Sequence, residues 1–166
     1  MADETKLQAP APATPADRSE AIYGSVLAAS VIAAQSPAKN PPSAPTIIAT
    51  LLATATVFWL VHVYCRVIGG QRGGGSPPIR PIMVEQAPVL YAALPPVLGA
   101  VLGWILGLRD AATAWLCLSI AVIAMVCWSI EGAVAMGVPH RVIVRSGLVS
   151  TLLGLVMIGL KAALGH

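Results

Sequence analysis

An imidazole changes charge near neutral pH, so His62 is the side chain through which this sequence would move a proton. It stands in Trp59-Leu60-Val61-His62-Val63-Tyr64-Cys65-Arg66, where Trp59, His62 and Arg66 recur at helical spacing on one face. Arg18, Glu20 and Tyr23 open an earlier apolar stretch. Two antiparallel helices carrying these residues would bring Glu20 and Arg66 to similar depth, in a polar cluster around His62. The same set also reads as an interfacial belt of Trp, Tyr and Arg, as is usual where lipid headgroups begin. A second pair suited to ion handling is Glu131 and Arg145, which are equidistant in sequence from Val138. A helical hairpin turning at Val138-Pro139-His140 places them at one depth, where an interhelical ion pair is expected, the other readings being an ion pathway and snorkelling of both groups to the interface. An ionisable group inside a bilayer needs such a partner or a purpose.

Other chemistry lacks its residues. Glu20, Glu85 and Glu131 have no second carboxylate at helical spacing, and His62 and His140 fall on separate segments. No set for acid–base or nucleophilic catalysis assembles, and the expectation is a non-enzyme without a cofactor. Cys65, Cys117 and Cys127 lie in apolar runs without a Cys-x-x-Cys pair, so they read as small hydrophobic side chains and no metal is expected. The stretch GGQRGGGS (69–76) looks like a phosphate loop but lacks the Gly-Lys-Ser/Thr ending. A net charge of +3 is too small for a nucleic-acid surface.

The elements that must position these side chains are membrane helices. Only 10% of the residues are charged and 57% are hydrophobic, against roughly 25% charged in soluble domains. Crossing a bilayer takes roughly 20 apolar residues, and the chain offers about five such segments, near 19–35, 46–68, 87–108, 111–137 and 141–164. The first is the shortest and carries Glu20, Ser25, Ser30 and Gln35. Asp17 or Ser19 would cap its start. Residues 1–17, rich in Ala and Pro, read as a disordered tail, and 18–166 as one all-α transmembrane bundle. Residues 36–45 and the Gly/Pro-rich 69–86 read as loops. Pro95-Pro96 predicts a kink in the third segment. Gly99, Gly103 and Gly107, with Pro95 one turn earlier, form a stripe of small residues for close helix packing. Its partner lies within the chain, in a second copy or in another protein.

Basic residues set an orientation. Arg66, Arg72, Arg80, Arg141 and Arg145 fall on one side and Arg109 and Lys161 on the other. The side with five should be cytoplasmic. If the first segment spans, Lys6 and Arg18 join it and Lys39 joins the other. The N-terminus is then cytoplasmic and the C-terminus outside.

The stretches RSEAIYGSVLAASVIAA (18–34) and VFWLVHVY (57–64) together resemble small integral membrane proteins of high-GC Gram-positive bacteria. The resemblance covers about the first 70 residues. It implies a bacterial plasma membrane and carries no activity with it. A fainter resemblance is to the TMEM175-type potassium channels, with Arg18 and Ala21-Ile22-Tyr23-Gly24 in place of their first-helix motif and Trp59 and His62 in place of their later one. That family's Phe-Ser-Asp run is Ile22-Tyr23-Gly24 here, so its acidic residue is missing. The leading expectation is a non-catalytic accessory or scaffold subunit of a membrane assembly. Its partners would be the lipid bilayer and either further copies or a larger complex. The alternative is an oligomeric proton or cation channel, or a small transporter, using His62 and Glu131.

Overall fold

The computed structural model describes residues 15–35, 40–70 and 79–164. It is an all-α bundle, without strands among those residues. The helices are α1 (Pro15–Ala34), α2 (Ala44–Gly70), α3 (Ile79–Glu85), α4 (Pro88–Tyr91), α5 (Leu94–Ile105), α6 (Asp110–Ala135) and α7 (His140–Leu164). Three of them, α2, α6 and α7, are long and apolar enough to cross a membrane. The run α3–α4 with α5 passes the same test as a pair, bent by 43° at its break, and makes a fourth when taken as one span. The shorter α1 lies along α6 as the fifth rod. This is a polytopic helical membrane protein with three to four helices long and apolar enough to cross a membrane, roughly the five expected, and α1 is the shorter apolar helix beside them.

Helix starts differ from expectation where proline is concerned. A proline in the first turn forfeits only an N–H that has no intrahelical partner, so it opens helices as readily as it ends them. Pro15 opens α1, so Asp17 lies in its first turn and Ser19 just beyond it instead of capping it, and the helix takes in residues assigned to the tail. Residues 1–14 of that tail lie outside the described residues, as do 36–39 and 71–78 of the two expected loops. The second loop is not all loop. Its last part is α3, with Pro81 in the first turn. Ser43 precedes α2, accepting from Ile47 N–H with its carbonyl while its hydroxyl meets that of Thr46 at 2.9 Å.

The expected kink is present and lies just before the proline pair. The chain breaks at Ala92-Ala93, and Pro95 and Pro96 occupy the first turn of α5. Neither proline has an N–H for the carbonyls of Tyr91 and Ala92. Ala92 and Ala93 are buried at the break, beside Gly24 of α1. A Cβ on Gly24 would fall 2.7 Å from the Ala92 Cβ and 2.9 Å from the Val89 carbonyl oxygen.

The core is built from small side chains. Ala28, Ala29, Ala100, Ala114, Cys117 and Ala121 bring α1, α5 and α6 close, and Ile32, Ile47, Leu51 and Leu118 fill between them. The gap between α1, α2 and the α4–α5 break is about 10 Å³, room for one water.

The glycine stripe finds its partner within the chain. Gly99 faces Ile120 and the Cα of Cys117, and Gly103 faces Thr113, all on α6. Gly107 does not belong to the contact. It has φ +64° and nothing near its α-hydrogens, and it ends α5 in a left-handed turn. Its N–H donates to the Trp104 carbonyl and that of Leu108 to the Gly103 carbonyl, the paired bonds of a Schellman cap.

A Cβ on Gly103 would meet Thr113 at 2.8 Å, whereas Gly159 is open. Gly103→Leu should therefore destabilise the bundle by about 1–3 kcal/mol through overpacking, and Gly159→Leu should not. Thermal unfolding in detergent, followed by helicity, checks this contrast.

Candidate functional site

The polar side chains gather where α2 ends and α3 begins. Three- and four-residue spacing puts Trp59, His62 and Arg66 on one face of α2, and antiparallel α1 brings Glu20 and Tyr23 opposite. His62 Nδ1 lies 2.8 Å from the Phe58 carbonyl. A carbonyl only accepts, so Nδ1 carries the hydrogen and donates it. Nε2 is then the nitrogen left to gain or lose a proton, and it faces Glu20 Oε2 at 3.7 Å. With a proton on Nε2 the contact is an imidazolium–carboxylate pair. Without one, a lone pair confronts a carboxylate. Both groups are partly buried. Tyr23 packs beside it, its ring 5.3 Å from the imidazole and 6.4 Å from Phe58 in an edge contact.

Glu20, expected at the depth of Arg66, faces His62 one turn away, and Arg66 has another partner. Arg66 pairs with Glu85 at 3.2 Å. Trp59 Nε1 donates to the Met83 carbonyl at 3.2 Å. Both contacts tie α3 to α2. Sequence reading missed Glu85 because it assigned 79–85 to a loop. The signal was an apolar run opened by Pro81 and closed by an acid. Both members of the Arg66–Glu85 pair are about half exposed, so it contributes at most about 1 kcal/mol. Arg18 is within α1, but its side chain lies outside the described residues. Gln86 follows Glu85 and is buried, with neither Nε2 nor Oε1 hydrogen-bonded among the described residues.

Glu131 and Arg145 do not form the expected ion pair. The seam between α6 and α7 is closed by Ser129 and Ser146, whose hydroxyls lie 2.7 Å apart, and by Gly147 against Ile130. Depth was read correctly and helical phase was not. Each residue turns the helix by roughly 100°, so Glu131, two past Ser129, points nearly away from α7. Arg145, one before Ser146, is also turned off the seam. Both are exposed. Glu131 lines a groove of about 200 Å³ with Pro95, Ala124, Cys127 and Trp128. Arg145 lines another of about 300 Å³ with Val142, Ser146, Val149 and Ser150. Pro95, expected in the packing stripe, instead borders the first groove.

At the other end of the bundle Lys161 is buried, with its Nζ 4.9 Å from the centre of the Trp115 ring. Lysine over an indole face is a cation–π contact. Among the described residues no three His, Cys, Asp or Glu side chains converge as metal ligands.

Comparison with protein-family models, with curated proteins and with solved structures gave no match.

Two outcomes follow from this geometry. Trp59→Phe removes the donor to Met83, and should cost about 1 kcal/mol while speeding amide exchange across α3. Gln86→Met replaces a buried, unbonded amide with an apolar chain of similar length. It should raise stability by about 1–3 kcal/mol, since each orphaned polar group carries its own desolvation cost. Unfolding in detergent measures both, and hydrogen exchange localises the first.

Proposed function

We propose that this protein is a non-catalytic subunit of a membrane assembly, an accessory or scaffold component whose outer surface is completed by protein. The observation that carries this reading is the placement of Glu131 and Arg145. They lie on spanning helices, exposed, with no ion-pair partner among the described residues. A charge facing lipid is costly and is normally paired or covered. The small-residue core supports the same reading, because α1, α5 and α6 meet on alanine, cysteine and glycine, leaving the bundle interior filled. By the basic-residue count, the α2/α3 end lies in the cytoplasm of a bacterial cell and the Trp115–Lys161 end outside.

A second reading rests on the His62–Glu20 contact near the broken passage. Discontinuous helices often line ion paths, and an imidazole nitrogen facing a carboxylate at 3.7 Å is a pairing that proton relays use. On that reading the assembly is a proton or cation channel, or a small transporter, that uses His62 and Glu131.

Extraction into polymer-bounded native nanodiscs tests the first reading. The chain of 17.0 kDa should run as a defined particle several times that mass. A lone protomer in native lipid would overturn it. Proteoliposomes separate the second reading: proton or potassium flux lowered by His62→Gln and Glu131→Gln would support it, and flux no greater than in empty vesicles would reject it. For orientation, a cysteine replacing Arg80 in a cysteine-free background should resist an impermeant maleimide in intact cells and react after lysis. Labelling of intact cells would invert the topology.

A further inference from the structure

Deepening the assembly reading, on which it rests, we infer that the partner is a second copy of this chain, joined head to tail. Arg145 of one protomer is seated in the Glu131 groove of the next.

The two groups match in charge and in depth. They are equidistant from the α6–α7 turn, and any rotation axis along the membrane normal preserves depth. Arg145 of a neighbouring copy therefore arrives at the level of Glu131 without tilting either protomer.

The Glu131 groove suits an arginine. The side of α6 that packs on α5 runs through Thr113, Cys117 and Ile120. At three- and four-residue spacing this stripe continues through Ala124 and Cys127 to Glu131. Near the α2/α3 end the cover is lost, because α5 begins only at Leu94 and the preceding run bends away by 43°. The break in the fourth passage thus opens the groove. It offers a carboxylate and the indole of Trp128 in a wall otherwise formed by Pro95, Ala124 and Cys127. A guanidinium takes both, as a hydrogen-bonded ion pair and as a cation on an aromatic face.

Arg145 is placed to reach it. On α7 the residues turned toward the bundle include Ser146, Gly147, Gly154 and Lys161. Leu148, Leu152, Leu155 and Val156 are exposed on the other side. Arg145 heads that outward stripe.

The two charges lie on opposite flanks of the α6–α7 hairpin. A single two-fold contact therefore does not engage both at once, whereas a heterologous contact does. Such contacts repeat and close into a ring when the rotation per protomer divides a full turn.

The test uses the full chain in native nanodiscs, with helicity and thermal unfolding as controls for folding. Glu131→Arg and Arg145→Glu should each reduce the oligomeric fraction at least tenfold, and the double reversal E131R/R145E should restore it. In a chain with Cys65, Cys117 and Cys127 replaced, E131C/R145C should form a ladder of disulfide-linked multimers, and neither single cysteine should. A particle containing one copy bound to a different protein would overturn this inference and leave the assembly reading standing. A monomer in native lipid would overturn both. Oligomers indifferent to charge reversal, or dimers cross-linked by E131C alone, would place the contact elsewhere and reject the inference.

Discussion

Lipid tails are as apolar as leucine, so helices in a bilayer gain little by hiding apolar side chains from solvent. What holds them together is close packing and the satisfaction of polar groups. In this bundle that constraint falls on α6. Gly99 and Gly103 let α5 sit on it, Gly154 lets α7 approach Val122, and the alanines of α1 occupy a third side. A Cβ on Gly154 would overlap Val122 and one on Gly103 would overlap Thr113, so these contacts have no slack, while at Gly99 only the end of the Ile120 side chain stands in the way. Because α6 has α1, α5 and α7 around it, the positions of α2 and α3 follow at one remove. The Glu20–His62 contact between α1 and α2 is therefore set by the packing of small side chains around α6.

The broken passage obeys the same constraint. Backbone groups freed in a membrane must be covered by protein, and Pro95 and Pro96 leave two carbonyls without helical donors. The break is buried against α1, where Gly24 permits contact down to the Val89 carbonyl. The bend that satisfies this contact directs α3 and α4 toward α1 and α2. Trp59 and Arg66 can then anchor α3, and the α2/α3 end gains its polar cluster. The same bend uncovers the last turns of α6 and leaves Glu131 in its groove. One local break accounts for the polar cluster and for the open flank.

Long apolar runs made the class and the three longest helices legible, because a 20-residue hydrophobic segment has few other readings. The close-packing role of Gly99 and Gly103 was legible from their spacing, and so was a polar cluster around His62, but the depth count set Glu20 against Arg66 and not against His62. Proline was the main source of error. Pro15, Pro81 and Pro95 act as first-turn residues here, and a rule that reads proline as a helix stop loses α3 and, with it, the Arg66–Glu85 pair. Gly107 fits the four-residue stripe, but its place at a helix end decides its role, and sequence periodicity does not mark that end. The burial of Lys161 over Trp115 had no local signal, since it joins residues on two helices far apart in sequence.

The Glu131–Arg145 expectation failed in an instructive way. Depth along a helical hairpin is fixed by counting from the turn, and an error of one or two residues matters little. Phase around each helix is fixed by which side chains form the seam, and one residue changes it by roughly 100°. Two serines took the seam, so two charges that share a depth were turned to opposite flanks. Groups so placed are poorly suited to stabilise the protomer that carries them. They remain complementary to one another, and a copy related by rotation about the membrane normal presents each at the level of the other. Matched depth, which made the pair look intramolecular in the sequence, is equally the condition for an intermolecular one. Phase decides between the two, and here it favours the contact between copies.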